Sequence, residues 1–584
     1  SPFESDSSAT TVARILHGDA ASLGAVPGVP DWLAALVSQL LRKNPVERPQ
    51  SATEVLQRLE AAHAICDSAP KLPPPLSSDR RRARLGLLLG CLGVVAASGA
   101  GAFRYFLARG RPARVPTSAI ATATSSIAVL PFVDMSPAKD QEYFSDGIAE
   151  EILNALAQVD GLRVTGRTSS FSFKGKNEDV RAIGQKLNVA HVLEGSVRKQ
   201  GDRARISAQL VSVADGYNVW TQNFDRDLKD VFALQEEIAK SVVEGLKLKL
   251  IPGRSSAGKE RRTSSVEAYD QYLAAMEILN RYSQDEIPRA HKLLERAIAL
   301  DPSYGLAWSG LSMVFALESD WEPAPAEQRR LQQQALAAAD KAVELAPDLA
   351  ETWARRGLWR MQLSWDWQGA RADIDHALAL NPRDVLSNDA RARLYAILGL
   401  VEAAITAGRK TTELDPLNQP LWVRLHHYLA GGGQLAAARN ALEKAEDISP
   451  KGVPWGRYRL DLLEGRAADA LSRARRFQGT EEQLTGLTIA QHALGQAKES
   501  QQTLEKLIAT SGDVYAYQVA EIYAMRGETD RAFEWLERAY AQHDGGFVAV
   551  VPNNCSLKCD PFLRNLRGDA RWTALLKKMN LPLD

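Results

Sequence analysis

The chain has 584 residues, 45% hydrophobic and 24% charged, the composition of globular protein in an amount large enough for several domains. Lys and Arg number 71 and Asp and Glu number 71, so the formal net charge is zero. This balance argues against nucleic acid as a partner, which calls for a basic excess or stripe.

The first stretch with a helical pattern is VPDWLAALVSQLLRKNPVERPQSATEVLQRLEAA. Asp31 is placed to cap a helix with Leu33, Leu36, Val37, Leu40 and Leu41 on one face, and Asn44-Pro45 ends it. Ser51 and Glu54 form a capping box ahead of Val55, Leu56 and Leu59. Two such helices bury too little apolar surface to stand alone. From Pro2-Phe3 to Leu59, and most of all in LLRKNPVERPQSATEVLQRL, the chain resembles the end of the C-terminal lobe of serine/threonine protein kinases. That resemblance makes residues 1–66 a kinase C-lobe helical remnant. It implies that Arg48 is buried against an acidic residue of the activation segment, although an Arg between Glu47 and Pro49 is equally at home in a surface turn. The Gly-rich loop, strand Lys, H-R-D and D-F-G motifs of that family do not occur in the sequence. The expectation is therefore a C-terminal fragment of a kinase, with no catalytic, metal or cofactor-binding residues of its own. ATP and Mg are implied only for a missing catalytic part.

Residues 67–84 hold Pro70, Pro73, Pro74 and Pro75 and then Arg80, Arg81, Arg82 and Arg84, the pattern of a juxtamembrane linker. The nineteen residues from Leu85 to Phe103, LGLLLGCLGVVAASGAGAF, carry no charge. As a helix they span about 28 Å, close to the hydrocarbon thickness of a bilayer, which predicts one transmembrane helix over 85–107. A buried core helix is the competing reading. Four Arg lie on each side, so charge does not orient the segment. The kinase resemblance does: the N-terminal part would be cytoplasmic and the large C-terminal part periplasmic or extracellular, in a single-pass protein of the cell (inner) membrane. Gly86 and Gly90 form G-x-x-x-G, which permits close helix approach and a homodimer, although Gly is common in membrane helices anyway.

After a linker at 108–125, residues 126–250 read as an α/β sandwich in the order β-α-β-α-β-β-β-α. The first strand is Ile127 to Phe132. Asp146 is expected to cap the next helix, with Glu150 and Glu151 at its positive end. LRVTG is the second strand and Asp179–Leu187 the second helix. Three strands turn at Gly201-Asp202 and Asp215-Gly216 before a helix over Val231–Leu248. The phrases IAVLPF, FSDGIAEEILNAL and HVLEGSVRKQGDRARISAQLV resemble the amino-terminal domain of TolB-like proteins. That resemblance implies a binding or structural module, of a kind that precedes tetratricopeptide repeats behind kinase, cyclase or DNA-binding modules. His191 reads as a satisfied core or strand histidine. Gly253 to Lys259 imitates the start of a phosphate-binding loop, but Glu260 stands where a Ser or Thr must hold magnesium, so 251–265 reads as a linker.

Residues 266–580 repeat. Pro302, Pro347, Pro382, Pro416 and Pro450 follow apolar helices at intervals of 45, 35, 34 and 34, and 34 is the tetratricopeptide period. Ala290, Ala335, Ala370, Ala404 and Ala438 stand twelve residues before each Pro, where two helices cross closely. Trp308, Trp353 and Trp422 stand six after three of them and are expected to fill the gap to the neighbouring helix. The first interval carries eleven extra residues, expected as an enlarged loop around Glu318–Gln328 that exposes Trp321. The pattern weakens after Pro450 and returns over Val514–Tyr540, with Ala532, Leu536 and Ala539 in register. Phe562, Leu566, Trp572 and Leu575 read as a terminal cap. Cys555 and Cys559 lack the partners of a zinc site and read as unpaired, half-buried thiols, with a local disulfide possible in an oxidising compartment.

The expected architecture is multidomain and mainly α: kinase-lobe remnant, membrane helix, TolB-like α/β domain and a tetratricopeptide-repeat α-solenoid. The expected function is the sensor or protein-binding portion of a membrane-bound serine/threonine kinase in signal transduction, with a protein or peptide ligand in the repeat groove. The alternative is a non-enzymatic, membrane-anchored scaffold for envelope proteins.

Overall fold

The structure is a computed structural model. It describes residues 125–583 apart from 160, 202, 228–230, 247–262, 282, 323, 450–453, 477–480, 513 and 549–554; before 125 it describes only residues 35, 36 and 39. Arg48, the 85–107 segment with Gly86 and Gly90, the stretch Gly253 to Lys259 and Pro450 lie outside the described residues. The chain divides into Ser1–Thr117 and Ser118–Asp584, and every element below belongs to the second unit. Among the described residues no helix is long and apolar enough to cross a membrane.

The second unit opens with β1 (Ser126–Val129), β2 (Val133–Asp134), α1 (Glu142–Ala157), β3 (Arg163–Val164), α2 (Arg167–Phe171), α3 (Val180–Leu187), β4 (His191–Gln200), β5 (Arg203–Ser212), β6 (Asn218–Asp227) and α4 (Val231–Gly245). They form a mixed sheet in the order β3-β1-β4-β5-β6, with β2 paired to β4. β1 runs parallel to both neighbours, whereas β4, β5 and β6 form an antiparallel meander. The sequence follows this division. β1 is a continuous apolar run because helices cover both of its faces, while β5 alternates, with Ala204 and Ile206 buried between exposed Arg203 and Arg205. Ile148, Ile152 and Val242 of α1 and α4 pack on Val129, Leu193 and Ile206. Ile183 and Leu187 of α3 pack on Ala128 and Val192 from the other face. Asp179 caps α3 by accepting from the Arg181 backbone N–H.

Asp146 is not a cap. α1 begins one turn earlier, at Glu142, and Asp146, Glu150 and Glu151 lie inside it. Phe144 is fully buried in the core, and that burial draws the preceding turn into the helix past the local Ser-Asp-Gly signal. Asp146 instead accepts a 2.6 Å hydrogen bond from Lys174.

The remainder is a tetratricopeptide-type solenoid of antiparallel helix pairs: α5 (Val266–Arg281) with α6 (Ile287–Leu300), α7 (Gly305–Trp321) with α8 (Pro325–Leu345), α9 (Ala350–Leu363) with α10 (Trp367–Leu380), α11 (Val385–Ile397) with α12 (Val401–Leu414), α13 (Gln419–Gly431) with α14 (Leu435–Ile448), α15 (Pro454–Leu463) with α16 (Ala467–Ala474), α17 (Glu481–Ala493) with α18 (Ala497–Ser511), and α19 (Ala516–Met525) with α20 (Thr529–Ala541). Two 3₁₀ turns, Gly545–Val548 and Pro561–Leu566, and α21 (Ala570–Lys578) complete it.

The eleven extra residues of the first interval do not form a loop. α7 has 17 residues and α8 has 21, against 13 and 14 in α11 and α12. The insertion therefore lengthens both helices, and Trp321 is half-buried against the core. Pro325 starts a helix here, a position where its missing N–H costs nothing. Nor do the pairs lapse after Pro450. Another mark carries on: Gly399, Gly433, Gly465, Gly495 and Gly527 each hold positive φ between the two helices of a pair, where a left-handed residue ends the first helix.

The boundary expected at 251–265 does not separate two bodies. One hydrophobic core runs from Ile127 in β1 through Tyr269 and Leu273 in α5 to Leu317 in α7. The α/β domain also rests on two later repeat turns. Arg383 donates to the carbonyls of Val159 and Leu162, and Asp415 accepts from the Ser169 backbone N–H at 2.7 Å. The Ser169 hydroxyl in turn accepts from the Leu417 N–H at 2.7 Å.

Candidate functional site

The signature residues occupy two kinds of place. Ala290, Ala335, Ala370, Ala404 and Ala438 have no exposed surface, and each lies on the second helix of its pair. Pro302, Pro347, Pro382 and Pro416 lie two residues beyond the last helical residue, where a ring without N–H stops the helix. The tryptophans do more than fill space. The indole N–H of Trp308 donates to the Pro302 carbonyl at 3.0 Å, that of Trp353 to Pro347 at 2.5 Å and that of Trp422 to Pro416 at 2.8 Å. At the one described turn without Trp, the amide of Asn388 donates to the Pro382 carbonyl at 3.1 Å. This turn lock was not legible as a repeat feature, because Trp and Asn share a donor and not a shape. Trp422→Phe keeps the ring and deletes the donor. It should cost about 1 kcal/mol in urea unfolding, and a neutral result would reduce Trp422 to filler.

A solenoid of this type presents its first helices, α5 to α19, along an inner face. In α9, α11 and α19 no residue is exposed, and in α13 only Pro420 is. By contrast α12 exposes Glu402, Thr406, Arg409, Lys410 and Glu413. The inner face is covered because the chain's own C-terminal segment lies on it. Phe547, Leu557, Phe562, Leu563, Leu566, Trp572 and Leu575 share a core with Leu358, Met361, Leu394, Ile489 and Tyr517 of the inner helices. The Trp367 indole donates to the Met579 carbonyl at 2.7 Å, Arg564 to the Gly431 carbonyl at 2.5 Å and Asn565 to the Ala524 carbonyl at 2.6 Å. The four residues Phe562, Leu566, Trp572 and Leu575 thus share a core with inner helices beyond the last pair, while α21 is also held to α20 by Arg571 on Asp530 and Lys578 on Glu537.

Cys555 and Cys559 are not free thiols. They are joined to each other, and both are buried. They sit on the C-terminal end of α13 so closely that a Cβ at Gly431 would come within 2.5 Å of the Cys559 sulfur. Four-residue spacing reads as two independent thiols until a turn folds one sulfur onto the other.

Beneath the segment lies a buried ion cluster. Arg459 of α15 donates to both carboxylate oxygens of Glu521 in α19, at 3.0 and 2.8 Å. Its guanidinium lies 3.6 Å from Asp560 of the segment and 4.2 Å from the centre of the Phe562 ring. Tyr517 donates its hydroxyl to Asp560 at 3.3 Å. Burial pushes Glu521 well above the usual carboxylate range against the pull of Arg459, and Asp560 beside it adds to the rise. One guanidinium thus faces two carboxyl groups, Glu521 and Asp560. Close by, His426 of α13 is buried and donates from Nδ1 to the Ala438 carbonyl at 2.9 Å. Burial pushes its pKa down to about 4, and Arg459 and Arg457 add to the fall.

His191 begins β4 as a strand residue, half-buried, with its pKa lowered by burial. Its Nδ1 has no hydrogen-bond partner, and a hydrogen bond with the Ser126 backbone offsets the fall only in part. Among the described residues no three His, Cys, Asp or Glu side chains are grouped to hold a metal ion.

Residues 123–241 match the family described as "HilA/YgeH-like transcriptional regulator, second domain". A curated relative, "Putative adenylate cyclase 3" of Rhizobium meliloti (strain 1021), is 34% identical over 257 residues, which are 44% of this chain and 42% of that protein. The chain therefore spans less than half the length of that relative. Among solved structures, YrrB, a TPR protein with an unusual peptide-binding site, is 20% identical over 34% of this chain and 91% of its own, with a TM-score of 0.23. The type IV pilus biogenesis factor PilW is 18% identical over 43% and 96%, with a TM-score of 0.28. The human IFIT1 dimer with PPP-AAAA is 15% identical over 53% and 78%, with a TM-score of 0.32.

Proposed function

We propose that this chain is the non-catalytic, protein-binding part of a bacterial signalling protein. The observation that carries the reading is the fusion of the α/β domain and the repeats into one body by a continuous core and by the contacts at Arg383 and Asp415. A body of that kind can be joined as a unit to different output modules. The relatives support this, one being named a putative adenylate cyclase and the matching domain being part of transcriptional regulators. In this chain the resemblance of residues 1–66 favours a kinase as the output, using ATP and Mg in a part that precedes Ser1. The apolar stretch from Leu85 to Phe103 favours an inner-membrane anchor with the repeats on the far side and pairing through Gly86 and Gly90.

The test uses the chain as it stands. Incubated with Mg and radiolabelled ATP, it should show no phosphotransfer, and in membrane fractions it should need detergent for release. Labelling of the chain would overturn the non-catalytic reading, and recovery in the soluble fraction would overturn the anchor. Protease added outside spheroplasts should cut beyond Arg104 and spare residues before Arg80; the reverse pattern would invert the orientation.

A further inference from the structure

The repeat surface expected to take a ligand is already filled. We infer that the inner face of α9 to α19 is a segment-binding site whose resident ligand is the chain's own residues 555–583, and that a protein partner reaches it by displacing them with a segment of the same chemistry, a carboxylate carried beside large aromatic anchors. The inference rests on the reading of the repeats as a protein-binding surface and names the ligand class.

Three observations support it. First, the contacts are those of a ligand lying on helix ends. Arg564 takes the carbonyl of Gly431 at the C-terminal end of α13, where the helix leaves acceptors unpaired and favours positive charge, and Asn565 adds a second donor to the Ala524 carbonyl of α19, which already accepts from the Gly527 N–H. Second, the anchors are few and lie close together in sequence. Phe562 and Trp572 are almost wholly buried, and Asp560 points at Arg459. Third, the site is matched in charge without the segment. Arg459 and Glu521 form a two-bond pair by themselves, and the segment adds a surplus carboxyl to it. Withdrawing the segment therefore leaves a neutral pair, not an orphaned buried charge. It also uncovers the apolar face on Leu358, Met361, Leu394 and Ile489, which only a replacement can cover again.

Two measurements decide it. In native-state hydrogen exchange of the unmodified chain, the amides of 557–583 should open together, about tenfold or more faster than those of α11, α13 and α19. A common rate for segment and inner helices would make the segment permanent core and overturn the proposal. The second probe is a fluorescent synthetic peptide of residues 555–584 closed by its own disulfide. The full chain carrying Phe562→Ala and Trp572→Ala should bind it about tenfold or more tighter than the unmodified chain does. Gly431→Leu, added to that variant, should abolish the gain. A variant that keeps its helical circular dichroism yet gains no binding overturns the proposal, and so does one that loses its helices. If the chain opens and rebinds this peptide while no foreign protein competes, the segment site stands and the wider protein-binding reading fails.

Discussion

Arg459→Ala is expected to lower the unfolding free energy by about 3–5 kcal/mol, because it strands Glu521 and Asp560 in the interior without their one cation. The loss should depend on pH. With Arg459 gone, nothing offsets the burial that holds the Glu521 pKa above its unfolded value. The folded state then holds an extra proton, so the variant is most stable below the unfolded carboxylate pKa and loses stability as pH rises through the folded value. Urea titrations at pH 5 and pH 8 should show the variant closer to the unmodified chain at pH 5. Glu521→Gln in the same chain should recover part of the loss, since it removes one of the two stranded carboxyls. A deficit equal at both pH values would mean that the cluster is not charged as described.

His426 should set an acid limit on stability. Its folded pKa of about 4 lies below the ordinary value of 6.5. Between these values the unfolded chain takes up a proton that the folded chain refuses. The stabilisation is complete above pH 6.5 and falls away as pH drops to about 4, by about 3 kcal/mol in all. Burial of the ring is the first cause of the refusal, and the charged groups facing it add to it. Arg457 and Arg459 of α15 repel a second cation, and Glu446 of α14 offsets them only in part. His426→Gln keeps a donor for the Ala438 carbonyl and does not titrate. Between pH 7 and pH 4 the unmodified chain should therefore lose about 3 kcal/mol more than the variant. A difference between the two that stays constant over that range would place the acid sensitivity elsewhere.

The repeat fold was legible where a physical rule leaves a residue-level mark. A helix crossing admits only a small side chain, so Ala290 to Ala438 are Ala, and a helix must stop, so Pro302 to Pro416 are Pro. The second mark, the glycine between the two helices from the α11–α12 pair onward, continues at Gly465, Gly495 and Gly527 after the prolines cease, and it would have carried the register through the later pairs. The α1 boundary was misplaced because a cap signal of about 1 kcal/mol was weighed without the burial of Phe144, which is worth more. The eleven inserted residues read as an enlarged loop in the sequence, yet Pro325 serves as a first helical residue and they lengthen two helices.

By itself the sequence determined the local elements: the order of strands and helices in the α/β domain, the 34-residue helix pairs and the close crossings at alanine. Each of these is decided by neighbours within a turn or two of chain. The tertiary structure alone decided what those elements enclose. Asp560 meets Arg459 across about a hundred residues, Trp367 meets Met579 across more than two hundred, and Ser169 meets Asp415 across still more. Such meetings depend on the accumulated rotation of many pairs, which no single position records. That rotation brings the C-terminal segment onto the inner helices, and so an open groove in the sequence becomes an occupied site in the fold.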